Sequence, residues 1–529
     1  MAHRHAPTAT LLALLLAGLG CPGREDPPGD DDDHSGDDDS GGDDDHAGDD
    51  DSGDDDDTTQ SGPALAEAPL GVAFAFQEWA GQEFASHLDD LGLRRVHFTL
   101  WWEQFEPAPG DYRHELIDDF VAQLGPDDIG AIRITARGCS WGMTPESDYT
   151  VPADLTVGGE YHEFVREAVA RADGRVALFE NDWEVDVDTN WRGTPAEYAE
   201  LTRTFHAAVR AEDPAASIVL GGSYADFSGE GEAFFDAVFA DLESDGQPRP
   251  FDLFDLHLYQ PAHTYPALIA SMRAVLDAHP ETAGVPIVAL EFGGPTPQEF
   301  RGEYPELYDQ LIGEFHDDIS LLGSDLSSTP LQPDGYPDEL RMFAFGLDGE
   351  PALAARRDRI QARGMARRSV VAMAEGVSTL YWWNLMAQRA ELSVELGVYF
   401  RHFTYGKLNL TLPDPDPGGM TLTPQPTYES FQRVAAWLAG IDSVVRVDTG
   451  DPDIWLYRLT GDGEDTTLVV WHHRDPFGGE DDPPVTASVP VPWPEAVAVD
   501  VFGDPVEVQL ADGAATLSIT GTPVQLTLP

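Results

Sequence analysis

Lysine is almost missing from this chain: Lys407 is the only one, and 30 Lys plus Arg stand against 96 Asp plus Glu, a formal charge of −66. A surface so acidic repels phosphates, which argues against nucleic acids or anionic membranes as binding partners. Cysteine is equally scarce, with only Cys21 and Cys139, so stability has to come from a hydrophobic core and not from a disulfide framework. Cys139 follows an apolar run and reads as a buried, inert small hydrophobe. There is no Gly-rich phosphate loop and no nucleophile elbow. Nor is there any His/Asp/Glu spacing of the metal-ligand kind, so neither a cofactor nor a catalytic metal is expected, and a lone strand-end histidine such as His97 reads as structural. The apolar run Leu11 to Leu19 is too short to span a bilayer.

What charge there is lies unevenly. Residues 22–62 hold 18 Asp and Glu25 against Arg24, a net −18; with these and Arg4 set aside, residues 63–529 still carry −49. The Asp runs between Asp26 and Asp57 are broken by Ser, Gly, His or Ala, and by Pro27-Pro28 after the first. Nothing there can seed a core, so 22–62 reads as a disordered spacer stretched by its own repulsion. Calcium is the functional rival for so many Asp, but the loop pattern of known calcium motifs is missing. Residues 1–21 form a signal segment, and its end, Gly18-Leu19-Gly20-Cys21, resembles the lipobox of bacterial lipoproteins with Gly18 where Leu is usual. The resemblance implies lipidation at Cys21 and a membrane-anchored location, at the cell surface or in the periplasm; plain secretion after cleavage near Gly20 is the alternative. The Lys-poor, acidic remainder also suits a saline habitat.

A chain of 529 residues is long enough for a barrel of roughly 250 to 400 residues and one smaller unit. Between 63 and 439 short apolar runs alternate with helical stretches, the pattern of βα units and a parallel sheet. Eight strands are expected: Val72–Phe76, Val96–Leu100, Ala131–Thr135, Val176–Phe179, Ile218–Leu220, Phe254–Leu258, Ile287–Leu290 and Thr379–Trp382. Thr194-Pro195-Ala196-Glu197 is a capping box with Pro at the first helical position, and Asp213-Pro214 stops the helix it starts. The expected fold is an α/β (β/α)8 TIM barrel. Residues 295–376, with Tyr304, Tyr308, Phe315, Tyr336 and Phe343, either lid its cleft or form padding around a helix Ala352–Glu375. From 440 to 529 short strands and turns predict a C-terminal antiparallel β-sandwich.

Two glutamates stand at the ends of buried-strand patterns, Glu184 after Val176-Ala177-Leu178-Phe179 and Glu291 after Ile287-Val288-Ala289-Leu290. Carboxylates at the C-terminal mouth of a β/α barrel lie where such folds place chemistry, and a facing pair is the equipment for breaking a glycosidic bond. One must protonate the leaving oxygen and the other must attack the anomeric carbon in its ionised form. Flat rings such as Trp102, Trp141 and Trp383 could carry the C–H faces of a sugar, although each is as readily explained as core.

The segments Phe179-Glu180-Asn181-Asp182-Trp183-Glu184 and Leu290-Glu291-Phe292-Gly293-Gly294, with Trp102 through Glu106-Pro107, Gly221-Gly222, His257-Leu258-Tyr259 and Trp382-Trp383-Asn384, resemble clan-A glycoside hydrolases of the family 39 and family 5-like group. The resemblance covers 69–529. It implies retaining hydrolysis of β-linked oligo- or polysaccharides without a cofactor, with Glu184 as acid/base and Glu291 as nucleophile. It further implies Trp102, Asn181, His257, Tyr259 and Trp383 around the sugar, a tyrosine such as Tyr259 keeping the nucleophile ionised. Where the family has Asn-Glu-Pro, this chain has Trp183-Glu184-Val185, so Asp182 competes with Glu184 for the acid/base position; aligning the capped helix downstream favours Glu184. Rival readings are a non-catalytic carbohydrate-binding barrel and a surface adhesion or scaffolding lipoprotein. Carboxyl groups ~5 to 5.5 Å apart point to the enzyme, a separation beyond ~10 Å to the rivals.

Overall fold

The computed structural model describes residues 65–528 apart from 76–82, 148–149, 189, 225–228, 297–298, 300–304, 307–335, 345–349, 386–409, 414–421, 462–465, 476, 478–481 and 492. The signal segment, Cys21, the Asp-rich spacer and the aromatics Tyr304, Tyr308 and Phe315 lie outside the described residues.

Eight parallel strands close a barrel in chain order: β1 (Leu70–Ala75), β2 (Arg95–Trp101), β3 (Ile129–Thr135), β4 (Val176–Trp183), β5 (Ser217–Ser223), β6 (Leu253–Leu256), β7 (Ile287–Phe292) and β8 (Val377–Trp383). Gly71 of β1 faces Arg95 on one side and Tyr381 on the other, so no strand edge is left open. Every expected barrel strand is present. β4 runs four residues beyond its apolar stretch, to Trp183, because Glu180, Asn181 and Asp182 are buried too.

Strand alternation explains that polar extension. Ala131, Leu178, Val219, Val288, Leu290 and Tyr381 form an apolar cluster inside the barrel, with Leu253 against it. Side chains two residues apart share a face. One step along the same face therefore come Arg133, Glu180 and Asp255, all fully buried. The interior is thus apolar at its floor and charged towards the C-terminal mouth.

Helices cover the outside. Thr194 accepts from the Glu197 backbone N–H, and Glu197 returns the bond to the Thr194 N–H at 2.7 Å, so the expected capping box opens the helix Pro195–Glu212. Tyr198, Leu201, Phe205 and Val209 bury one face of it. The helix expected at Ala352–Glu375 spans Pro351–Ala374.

After the helix Thr427–Leu438, two antiparallel sheets follow. One orders β11 (Ile441–Val447), β12 (Ile454–Gly461), β13 (Thr466–His472), β18 (Val524–Thr527) and β15 (Val497–Asp500). The other orders β14 (Val485–Pro490), β17 (Ala514–Ile519) and β16 (Val508–Ala511). Leu456, Leu468 and Val470 of the first pack with Ala487, Val489, Leu517 and Ile519 of the second, which makes the sandwich core. β11 is absent from the sequence reading because it has no clean alternation: buried Val444 lies two positions from exposed Asp442 and Arg446, and the register shifts between Ile441 and Ser443. The hairpin of β9 (Thr411–Pro413) and β10 (Leu422–Pro424) was missed as well, each strand being three residues.

Candidate active site

Backbone irregularities at the strand ends aim the two glutamates. Asp182 and Glu184 adopt φ of 62° and 45°, left-handed values that break the alternation of β4 at its mouth. On β7 the pairing register shifts between Ala289 and Phe292. Leu290 faces the barrel interior while Phe292 packs outward, its ring 5.2 Å from that of Trp382, and Glu291 between them turns to the mouth. Gly222 of β5 leaves room for both neighbours, since a Cβ there would come within 2.7 Å of Asp255 Oδ2 and His257 Nε2.

His257 joins the acids. Its Nδ1 lies 2.9 Å from Glu184 Oε1 and 3.6 Å from Glu291 Oε2, and its Nε2 lies 3.0 Å from Asp255 Oδ2. One oxygen of Glu184, one oxygen of Glu291 and one nitrogen of His257 lie within 4.8 Å of one another. Burial on its own would push the His257 pKa down, but Glu291, Asp255 and the bond to Glu184 outweigh it and hold the imidazole well above its ordinary value. Carboxylates at both nitrogens thus favour the protonated ring, with Arg133 Nη2 also 3.2 Å from Nε2.

Glu291 titrates in the opposite sense. Burial favours its neutral form, yet the charges of His257 and Arg133 prevail, helped by hydrogen bonds from Arg133 Nη1 and from the Tyr259 hydroxyl at 2.7 Å. The carboxyl stays below its usual range and is ionised at neutral pH. Glu184 has different company: its second oxygen accepts from Asn190 Nδ2 at 3.2 Å.

Arg133 ties the layer together. Its Nε donates to Glu180 Oε2 at 2.8 Å, Nη1 donates to Glu291, and Nη2 stands 3.9 Å from Asp255 Oδ2. His97 Nε2 sits 3.2 Å from Glu180, but burial first and then Arg133 lower its pKa to about 4, so it is a neutral neighbour and not an ion-pair partner. Sequence spacing shows no metal-ligand pattern, yet the fold gathers two sets of metal-compatible donors, Glu180-Asp255-His257 and Glu184-His257-Glu291. The Arg133 guanidinium already supplies a permanent cation between these sets.

Four sequence-derived residues come together here, Glu184, Glu291, His257 and Tyr259. Trp383 is placed on the interior face two residues beyond Tyr381, at the mouth, and is 1% exposed. Two others are elsewhere. Trp102 is fully buried in the core, stacked on Phe164 at 5.1 Å and donating to Glu106 Oε2 at 2.8 Å, because the helical turn after β2 points it at the helix layer. Asn181 is the outward residue between Glu180 and Asp182; it accepts from Tyr161 at 3.0 Å and donates to Thr202 at 3.3 Å on the covering helices, away from any sugar. Trp141 packs edge-on against Trp102 at 5.0 Å.

Asp182 is spoken for. It accepts from Arg137 Nε at 2.8 Å, Thr135 Oγ1 at 3.1 Å and the Trp183 N–H at 3.0 Å. Arg137 lies 3.5 Å from the centre of the Trp183 ring. Arg133, Glu180, Asp255 and Arg137 were not picked out in the sequence. For Arg133 and Asp255 the signal was there: a charged residue between apolar ones inside a strand, two positions from an interior residue.

No protein-family model matches the chain, and no curated protein matches it in sequence. Solved structures do match in fold. A family 39 glycoside hydrolase from Bacteroides cellulosilyticus superposes with a TM-score of 0.56 at 14% identity, covering 88% of this chain and 81% of its own. A family 51 α-L-arabinofuranosidase from Bifidobacterium longum gives 0.53 at 11%, covering 88% and 98%. The catalytic domain of a GH30 xylanase C from Talaromyces cellulolyticus gives 0.52 at 10%, covering 89% and 98%. The chain therefore has a glycoside-hydrolase-like fold, structurally similar to the clan GH-A TIM barrels of families 39, 51 and 30.

Proposed function

We propose that this protein is a retaining glycoside hydrolase for β-linked oligo- or polysaccharides, with Glu184 as acid/base and Glu291 as nucleophile. The observation that carries the reading is the carboxylate pair within a 4.8 Å span on a shared His257. Such close oxygens fit the ~5–5.5 Å carboxyl separation of a retaining pair better than the ~6.5–9.5 Å of an inverting one. A buried carboxylate held ionised by Arg133, by Tyr259 and by the charge of His257 also weighs against a non-catalytic barrel.

The residues divide the work. Glu291, kept ionised by His257, Arg133 and Tyr259, forms the bond to the anomeric carbon as the glycosidic oxygen departs. Glu184 shares a hydrogen bond with His257 Nδ1 at 2.9 Å, so the proton that oxygen needs is held between these two groups. Glu184 then takes a proton from the incoming water, and the glycosyl–Glu291 ester breaks. The bonds from Arg137 to Asp182 Oδ1 favour Glu184 in the contest left open by the sequence. Trp383 is the ring best placed to meet the sugar, and Cys21 carries a lipid anchor that holds the barrel at the membrane through the Asp-rich spacer.

A fluorinated glycoside that forms the covalent intermediate but releases it slowly tests the reading. The peptide containing Glu291 should gain one sugar mass, and proton NMR should show a first product of retained configuration. Glu291→Gln should drop activity to background; an inverted product or a fully active Glu291→Gln enzyme rules the proposal out.

A further inference from the structure

Behind the loops that follow β6 and β7, where the barrel meets the β-sandwich, lies a second polar site. A cavity of about 30 Å³ is lined there by His263, Glu299, Arg367, Arg368, Trp471 and Arg474, among others. Arg367 and Arg368 come from the helix Pro351–Ala374, and Trp471 and Arg474 from β13 and the residues after it. The cavity is larger than the ~10–15 Å³ that one water occupies but far too small for a sugar ring.

Positive charge collects at this junction although the protein as a whole is strongly acidic. The helix Pro351–Ala374 alone carries six of the 30 basic residues against one acidic residue, Asp358. Arg368 is paired with Glu299, its guanidinium seated where Gly294 and Gly364 have no side chain; a Cβ on either would come within 2.7 Å of it. Arg474 stands 3.7 Å from Asp482, which is 53% exposed and well screened. Among the described residues no carboxylate lies within ion-pair distance of Arg367: it donates from Nη2 to the Gly521 carbonyl and is 8% exposed. Burial and the neighbouring Arg363 and Arg368 push its pKa down to about 9 against the pull of Asp475.

Unused donors surround the cavity. Arg367 Nε, Arg368 Nε, Arg474 Nη1 and Trp471 Nε1 are buried without a hydrogen-bond partner. Four orphaned N–H groups in one place are costly unless something accepts from them. His473 stacks on Trp455 at 4.5 Å and has its pKa lowered to about 4, by burial first and then by His263 and Arg367, so it adds no charge. The carboxylate that lines the cavity, Glu299, is already engaged by Arg368, and a water cannot neutralise Arg367.

We propose that this cavity binds a small monovalent anion of chloride size, which neutralises Arg367 and clamps the barrel helix to the β-sandwich through Arg367, Arg474 and the Trp471 indole N–H. The anion is a structural ligand, separate from the carboxylate site and independent of the hydrolase reading.

Thermal unfolding of the full chain tests it, with sodium chloride replacing sodium gluconate at constant ionic strength. Chloride, and bromide likewise, should raise the midpoint by a few degrees and saturate, with a matching change in tryptophan fluorescence from Trp471. Arg367→Gln removes the buried charge, so it should lose the chloride response and be at least as stable as the wild type in gluconate; near-UV circular dichroism confirms that it is folded. Should that variant not fold, Arg474→Gln decides by the same loss of response. Equal midpoints in chloride and gluconate, or a chloride response kept in the folded variant, overturns the proposal.

Discussion

Replacing Arg133 by Gln gives the sharpest test of the charged layer inside the barrel. The guanidinium is fully buried and serves Glu180 at 2.8 Å, Glu291, and Asp255 at 3.9 Å. Without it, three buried carboxylates are left to one imidazolium, His257. Breaking a single buried pair costs roughly 3–5 kcal/mol, and with three acids sharing one cation the upper end is expected. That corresponds to a fall of roughly 5–15 °C in the unfolding midpoint, read by circular dichroism at pH 7.5. The pH dependence fixes the cause. Burial already holds the Glu180 pKa above its ordinary value against the pull of Arg133, and losing Arg133 raises it further. A group whose folded pKa is raised contributes stability at low pH and loses it as pH climbs. The deficit of Arg133→Gln relative to wild type should therefore shrink at pH 5 and be full by pH 7.5. Adding Glu180→Gln should restore part of the loss, because one of the stranded charges disappears. A deficit under about 1 kcal/mol at pH 7.5, or one that does not change with pH, would refute the idea that these charges are mutually compensated.

Glu184→Ala should slow hydrolysis of substrates with poor leaving groups by roughly 10²–10⁴-fold, spare activated aryl glycosides, and regain turnover with azide. Asp182→Ala should show no azide rescue and instead lose stability, because it strands Arg137; the reverse pattern would move the acid/base to Asp182. Tyr259→Phe removes one of the bonds that hold the Glu291 carboxyl down, so the acid limb of kcat/KM should move to higher pH, and an unmoved limb would detach Tyr259 from the nucleophile. Cys21→Ser should shift the protein from membranes to the soluble fraction, since the acyl chains carry nearly all the bilayer affinity; a wild type that is already soluble would end the anchor reading.

How much of this was legible in the sequence depends on the range of the interaction involved. Buried parallel strands advertise themselves as apolar runs, a capping box lies within four residues, and turn-rich alternation marks an antiparallel sandwich; these are local signals, and they sufficed for the barrel, its order and the glutamates at its mouth. They failed where a strand is polar because its neighbours across the barrel are polar. Glu180 prolongs β4 and Arg133 interrupts β3 for a reason located 47 residues away along the chain, and the pair reads as an anomaly until the barrel closes. Local patterns also cannot say which way a side chain turns. Trp102 and Asn181 stand at strand ends in the expected motifs, yet the turn after β2 and the outward position on β4 send both into the helix layer. The choice between Asp182 and Glu184 was likewise open in one dimension, two acids two residues apart; in three dimensions Arg137 binds the first and His257 the second. Sequence alone determined the kinds of residue available and the order of the strands that carry them. Only the closed barrel determined which charges meet, because their pairing energy depends on distances across its interior that no local spacing encodes.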